Sequence, residues 1–187
     1  MIIDTHIHII VNEITQKITK DPWSPNTGYE NGKPFVEFGG KRLNSALHEF
    51  VDVDKILNKQ TEAGINKTLL SPWSSLFRYD SDVSTTLSVN RIQNDALARI
   101  ASEYSDQIIA LGMIPLQDVS SAISELKYCM DIGLKGVEIG TNINGKYLGE
   151  EEYRPFWAMV EKLGAFVQIH PVPGLGGQTN KQYYLWN

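Results

Sequence analysis

The 187-residue chain contains a single cysteine, Cys129, and this scarcity excludes several classes of protein. An intrachain disulfide needs two cysteines, and a structural zinc site built from thiolates needs more than one. Cys129 lies in the segment SELKYCMDIG, whose apolar spacing predicts a helix, and we interpret its thiol as buried and inert. A disulfide scaffold and a cysteine-based metal site are therefore excluded.

The chain also lacks a basic block and a long apolar run. It has 17 lysines and arginines against 22 aspartates and glutamates, which gives a formal net charge of −5. This balance argues against nucleic acids and anionic membranes as partners. No segment reaches the roughly 18 apolar residues that span a bilayer, and no basic leader region precedes the first strand. We therefore expect a cytoplasmic protein that binds neither membrane nor nucleic acid.

The feature that carries chemistry is the run Asp4-Thr5-His6-Ile7-His8, within the apolar stretch MIIDTHIHII. Alternate residues of a β-strand share a face, so the strand would place Asp4, His6 and His8 together. Two imidazoles at this spacing can converge on one metal ion, and histidine is a common ligand of zinc and similar ions. A hydrogen-bonded surface histidine is the alternative for an isolated His-x-His. The added aspartate and the apolar surroundings favour a metal.

Helical and strand patterns alternate along the chain after about residue 51. Asp52 or Asp54 can cap the first of these helices, and Asp118 or Ser120 the third. Five strands separated by four helices predict an α/β fold with a parallel sheet. After the first strand, the predicted elements are VDKILNKQTEAG, INKTLLSP, a helix over roughly 85–104, QIIALGMIP, VSSAISELKYCMDIG, LKGVEIG, GEEEYRPFWAMVEKLG and AFVQIHPV.

A stretch over residues 11–51 separates the first strand from this alternation and is rich in proline and glycine. We predict a long insertion loop there, with a short hairpin around KPFVEFGGKRL. Loops of this length usually serve as lids or binding loops. The stretch includes His48, which we interpret as structural or solvated.

The carboxyl ends of parallel strands form the edge of the sheet at which ligands bind. His170 ends the fifth predicted strand, whereas His6 and His8 lie toward the end of the first. The alternation therefore predicts that the three histidines lie on the same side of the sheet.

Four sequence blocks resemble the amidohydrolase superfamily, in the amidohydrolase-related branch that includes decarboxylases. They are DTHIH at 4–8, LGMIPLQD at 111–118, GLKGVEIGTNING at 133–145 and IHP at 169–171. The resemblance implies a parallel (β/α)₈ barrel of the TIM type. Residues 1–187 would then form one domain that supplies roughly the first five βα units of the barrel.

The resemblance further implies one divalent metal bound by His6, His8 and His170. Zinc is the first candidate, with manganese or iron as alternatives. Asp4 is expected to support the first strand and to form hydrogen bonds beside the site. Members of the family take an acid/base histidine and an aspartate ligand from later strands, which we expect beyond Asn187.

Other candidates come with alternatives that the sequence leaves open. Lys135 lies at the start of its strand, which disfavours a two-metal site bridged by a modified lysine. Glu138 could be a packed interior carboxylate or a catalytic one. Asn142, Arg42 and Trp73 are candidates for substrate binding; for Asn142 a turn position is the alternative, and for Trp73 core packing.

The resemblance predicts a metal-dependent decarboxylase that acts on a small unsaturated or aromatic carboxylate. A hydrolase of the same family, opening a lactone or an amide, is the alternative. A catalytically incomplete fragment that only binds metal is the second alternative. Homodimers are common in the resembled family, and the unpaired edges of a five-stranded sheet would favour self-association.

Overall fold

The computed structural model describes residues 1–16, 26–38, 41–44 and 51–172, and every structural statement below concerns these residues. The helices are α1 (Asn12–Gln16), α2 (Val53–Glu62), α3 (Val83–Glu103), α4 (Val119–Asp131) and α5 (Arg154–Leu163). The strands are β1 (Ile3–Ile9), β2 (Asn26–Glu30), β3 (Lys33–Phe38), β4 (Lys41–Asn44), β5 (Lys67–Pro72), β6 (Ile108–Ala110), β7 (Gly136–Gly140), β8 (Asn142–Ile143), β9 (Lys146–Tyr147) and β10 (Phe166–His170).

The five strands predicted from the alternation all pair in parallel. β5 lies between β1 and β6, and β7 pairs with β10. A parallel bridge between Gly112 and Val137 joins the two groups, because Gly112 N–H donates to Gly136 O and Glu138 N–H donates to Gly112 O, each at 2.9 Å. The spatial order is therefore β1-β5-β6-β7-β10, and the predicted α/β fold with parallel strands is confirmed.

Three helices begin at an aspartate that accepts a hydrogen bond from the backbone N–H three residues further on. Asp52 caps α2, Asp82 caps α3 and Asp118 caps α4. Such a side chain satisfies one of the backbone donors that a helix start leaves unpaired. The cap at Asp82 explains why α3 starts at Val83 rather than at the predicted residue 85.

The stretch predicted as a long loop contains regular structure in its described parts. It holds the short helix α1 and the antiparallel sheet β2-β3-β4. The β3–β4 hairpin is the one predicted around KPFVEFGGKRL. β2 was not predicted, because its sequence NTGYE is poor in strand-forming residues and its structure depends on pairing with β3. His48 lies outside the described residues.

The hydrophobic core lies between the inner strands and the helices. β5 is buried from Thr68 to Pro72, and β7 is buried throughout, which is typical of a parallel strand covered on both faces. The outer strands differ, since Ile3 of β1 is 40% exposed and Phe166 of β10 is 50% exposed. Cys129 is buried, as predicted, and burial raises its thiol pKa. In the described part of the chain, no helix is both long and apolar enough to cross a bilayer.

A buried carboxylate, Glu125, links α3 to α4. Arg91 binds both carboxylate oxygens through Nε at 3.1 Å, and Asn94 Nδ2 donates to Oε1 at 2.8 Å. The same Asn94 amide bonds the backbone N–H and the carbonyl oxygen of Met113, just after β6. Glu125 therefore connects the two helices and the sheet through one network.

Replacing Glu125 with glutamine is expected to lower the free energy of unfolding by about 2 kcal/mol. Loss of one partner of a fully buried pair costs about 3–5 kcal/mol, and the solvent access of Arg91 reduces that cost here. Urea unfolding measures the change. Glu103→Gln is the control, because its pair with Arg99 is exposed and should contribute under about 0.5 kcal/mol. Equal losses for the two variants would contradict the assignment.

Candidate metal centre

Three histidine side chains converge at the carboxyl ends of the two outer strands of the parallel sheet. His8 Nε2 lies 3.1 Å from His6 Nε2 and 3.2 Å from His170 Nε2. β1 and β10 are at opposite edges in the strand order, so these contacts require the sheet to curl. The structure thus brings together the three residues that the sequence predicted on one side of the sheet.

β1 deviates from regular pairing where it carries these histidines. Its register with β5 shifts between Asp4 and Ile7, which marks a β-bulge or similar irregularity. Asp4 Oδ1 accepts from His6 N–H at 3.1 Å, and its Oδ2 accepts from Gln60 Nε2 at 3.0 Å. Asp4 therefore contacts the backbone of the histidine strand and α2. Its role beside a bound metal stays a prediction.

Backbone carbonyl groups fix the tautomers of two of the rings. His8 Nδ1 lies 3.0 Å from Pro72 O, and His170 Nδ1 lies 2.8 Å from Pro171 O. A carbonyl oxygen only accepts, so each Nδ1 carries a proton and donates. In a neutral ring the other nitrogen, Nε2, then carries a lone pair. The Nε2 atoms of His8 and His170 therefore face each other as bare acceptors.

The surroundings of these two rings favour their neutral form. Burial lowers the pKa of His8 to about 4, and although the Pro72 carbonyl opposes this shift, His170 and His6 add to it. Burial also lowers the pKa of His170, with a further contribution from His6. Neutral imidazole is the form that binds a metal, and a cation bound by both Nε2 atoms would remove the repulsion between their lone pairs.

Glu138 of β7 is the fourth polar group of the cluster. Its side chain is fully buried, and neither carboxylate oxygen has a hydrogen-bond partner among the described residues. Its Oε2 lies 3.8 Å from His8 Nδ1. Burial raises the pKa of Glu138 to about 7, and the Ser71 hydroxyl nearby opposes that rise. One ligand atom from each of His6, His8, His170 and Glu138 fits within 4.8 Å of all the others.

The other sequence candidates lie as follows. Asn142 Oδ1 accepts from Gly145 N–H at 3.1 Å, which is the turn geometry of the alternative interpretation. Trp73 is half-buried and packs against the core. The Arg42 side chain lies outside the described residues. Substrate roles for Asn142, Arg42 and Trp73 stay predictions.

Sequence reasoning missed two residues that support the site. Ser71 Oγ lies 3.2 Å from His8 Nδ1, and Tyr79 Oη accepts from Gly140 N–H at 3.2 Å, at the end of β7. Burial raises the pKa of the Tyr79 phenol. The position of Ser71 at a strand end was a usable signal. Tyr79 lies in a connection without periodicity, so no pattern indicated it.

A cavity of about 430 Å³ opens beside the histidines. Its described lining includes His6, His8 and His170 on one side and the α2 residues Lys55, Lys59 and Gln60 on the other. The cavity therefore combines imidazole groups with the largely apolar surface of α2, which is the mixed lining typical of small-molecule sites.

Comparison with known proteins identifies relatives of this chain. The family model for amidohydrolases matches residues 3–182. A curated relative is 2-amino-3-carboxymuconate-6-semialdehyde decarboxylase from Dictyostelium discoideum, which is 30% identical over 98% of this chain and 52% of its own length. The corresponding decarboxylase of Caenorhabditis elegans is matched over 48% of its length, so the chain spans about half the length of these curated relatives.

Solved structures give the same result. A 2,6-dihydroxybenzoate decarboxylase in complex with 2,6-dihydroxybenzoate is 29% identical, with a TM-score of 0.66 over 73% of this chain and 44% of that one. The 5-carboxyvanillate decarboxylase of Novosphingobium aromaticivorans, crystallised with manganese, shares the fold at 23% identity, with a TM-score of 0.68 over 75% of this chain and 41% of that one. With the family match over nearly its whole length, the chain belongs to the amidohydrolase family.

Proposed function

We propose that this protein is a metal-dependent decarboxylase of a small unsaturated or aromatic carboxylate, with the ion held by His6, His8 and His170. The observation that carries the proposal is the contact of 3.2 Å between the Nε2 atoms of His8 and His170. The Nδ1–H groups of His8 and His170 donate to backbone carbonyls, so neither Nε2 atom carries a proton that could form a hydrogen bond to the other. A metal ion between the lone pairs removes this conflict.

The spacing of the donor atoms suits a first-row divalent ion. Zinc–nitrogen bonds of about 2.0–2.1 Å in a tetrahedral site place two nitrogens about 3.3 Å apart. The two Nε2 separations of 3.1 and 3.2 Å come close to that value. Zinc is our first candidate and manganese the second, since manganese is bound in the similar 5-carboxyvanillate decarboxylase. When bound, the ion supplies positive charge that polarises a substrate oxygen or a water.

The chain's own residues would bind and orient the substrate. Lys55 lines the cavity beside the histidines, and its ammonium group would be a cationic partner for a carboxylate. In decarboxylation, the carbon that bears the carboxylate takes up a proton, and the carbon–carbon bond then breaks with release of CO₂. Among the described residues we assign no proton donor, and the acid/base histidine expected beyond Asn187 stays part of the proposal.

We further propose that the complete protein closes its sheet into a (β/α)₈ barrel. The curl that joins the ends of β1 and β10 supports closure, as do the similar solved structures. We also propose that the protein is cytoplasmic and forms a homodimer.

The protein loaded with Zn²⁺ or Mn²⁺ is expected to release CO₂ from at least one member of a panel of carboxylates. The panel includes 2,6-dihydroxybenzoate, 5-carboxyvanillate and 2-amino-3-carboxymuconate-6-semialdehyde, taken from the relatives. Product chromatography and CO₂ detection are the measurements, and a chelator should abolish turnover. Lactone or amide opening without CO₂ would favour the hydrolase instead. Stoichiometric metal without turnover of any compound would favour the fragment that only binds metal.

A further inference from the structure

The carboxylate of Glu138 is buried in an unusual way. The side chain is fully buried on β7, between the two halves of the parallel sheet, and both oxygens lack a hydrogen-bond partner in the described part of the chain. Glu125, the other fully buried glutamate among the described residues, contrasts with it, because Arg91 and Asn94 donate hydrogen bonds to that carboxylate. A buried carboxylate without a hydrogen-bond partner is costly while it is ionised, and a cation beside Glu138 would offset that cost.

The position of Glu138 indicates where such a cation would lie. β7 pairs with β10 in a register that sets Glu138 beside Gln168, two residues before His170 on the same face of the sheet. Gln168 Oε1 is likewise buried and without a partner among the described residues. The unpaired oxygens of Glu138 and Gln168 therefore lie on the face of the sheet that carries His170, where one carboxylate oxygen of Glu138 lies within 4.8 Å of one ring nitrogen of each of the three histidines.

We propose that Glu138 is a direct ligand of the metal held by His6, His8 and His170. This inference rests on the proposed function, because it requires an ion at the histidines. Imidazoles bind a metal in their neutral form, so Glu138 is the one member of the four-residue cluster that would bring negative charge to a divalent ion. A carboxylate oxygen is also a ligand that zinc and manganese both accept.

The alternative is a carboxylate that only packs or supports His8. The 3.8 Å between Oε2 and His8 Nδ1 exceeds hydrogen-bond distance, and the proton on that Nδ1 already reaches Pro72 O. A purely structural role also lacks the hydrogen bonds that would offset burial of the charge. The contacts therefore favour ligation.

The test compares Glu138→Gln with wild-type protein by titration with Co²⁺ and Zn²⁺. We expect the affinity of the variant to fall by more than ~100-fold, beyond the usual effect of groups that only support a ligand. The visible spectrum of bound Co²⁺ should change as well, because a ligand is lost. Glu138→Asp keeps the carboxylate and should recover part of the affinity. Glu125→Gln is the matched control, a buried glutamate outside the site, and should leave the affinity unchanged.

Stability of the metal-free protein provides a second readout. If Glu138 is a metal ligand, then without metal Glu138→Gln should unfold at the same urea concentration as wild type or at a higher one. With metal, the variant should lose the stabilisation that metal confers on wild type. A variant that is destabilised or fails to fold without metal would overturn the inference, as would an unchanged Co²⁺ spectrum and affinity. If wild-type protein binds no metal at all, the proposed function itself fails.

Discussion

Replacing His8 with alanine is expected to abolish stoichiometric binding of a divalent metal. His8 is the central ring of the cluster, since its Nε2 contacts the Nε2 atoms of both His6 and His170. Its removal takes away one ligand and opens the gap between the other two. The loss of a direct ligand should exceed the roughly 10–100-fold change that follows loss of a supporting group. Metal content after dialysis and titration with Zn²⁺ are the measurements.

In the absence of metal, the free energy of unfolding of His8→Ala should rise rather than fall. His8 and His170 face each other with lone pairs in the metal-free protein, so alanine at position 8 removes that repulsion while it creates a small cavity. His48→Ala is the matched control, a histidine to which the sequence assigns no ligand role. Wild-type metal content in His8→Ala, or loss of metal in His48→Ala, would contradict the assignment of the ligands.

Replacing Gly136 with alanine is expected to disrupt the pairing of β7 with β10. Gly136 has a φ of 150°, and a Cβ there would lie 1.8 Å from Phe166 O and 2.6 Å from Phe166 C and N. These atoms belong to the backbone, so no side-chain rotation relieves the clash. On its other side, Gly136 O accepts the Gly112 N–H that joins β7 to the sheet. A shift of either strand therefore breaks backbone hydrogen bonds.

Gly136→Ala is expected to lower the free energy of unfolding by more than about 4 kcal/mol, a loss typical of severe steric clashes. Because β10 carries His170, metal affinity should fall with stability. Gly149→Ala is the control, since a Cβ at Gly149 meets nothing within 4 Å. Urea unfolding followed by circular dichroism compares the two. If Gly136→Ala unfolds at the wild-type urea midpoint, β7 and β10 can move apart without loss of stability, which would contradict this prediction.

Much of the parallel sheet was predictable because its elements carry local signals. Apolar runs such as KTLLSP, and helix starts at Asp52 and Asp118, depend on neighbours within a few residues. β2 was not predictable, because its pairing with β3 rather than its composition makes it a strand. The irregularity of β1 between Asp4 and Ile7 was also hidden, since a register shift depends on the partner strand.

For the candidate site, the sequence by itself determined the residue types and the edge of the sheet at which they lie. His6, His8 and His170 follow from strand ends in a parallel fold, which chain order alone predicts. Only the tertiary structure decided that the histidines of β1 and β10 come into contact, that the Pro72 carbonyl orients the ring of His8, and that Glu138 is buried without a hydrogen-bond partner in the described part of the chain. The physical reason is that the distances between the rings and the burial of Glu138 are properties of groups brought together from remote parts of the chain, and no local pattern encodes them.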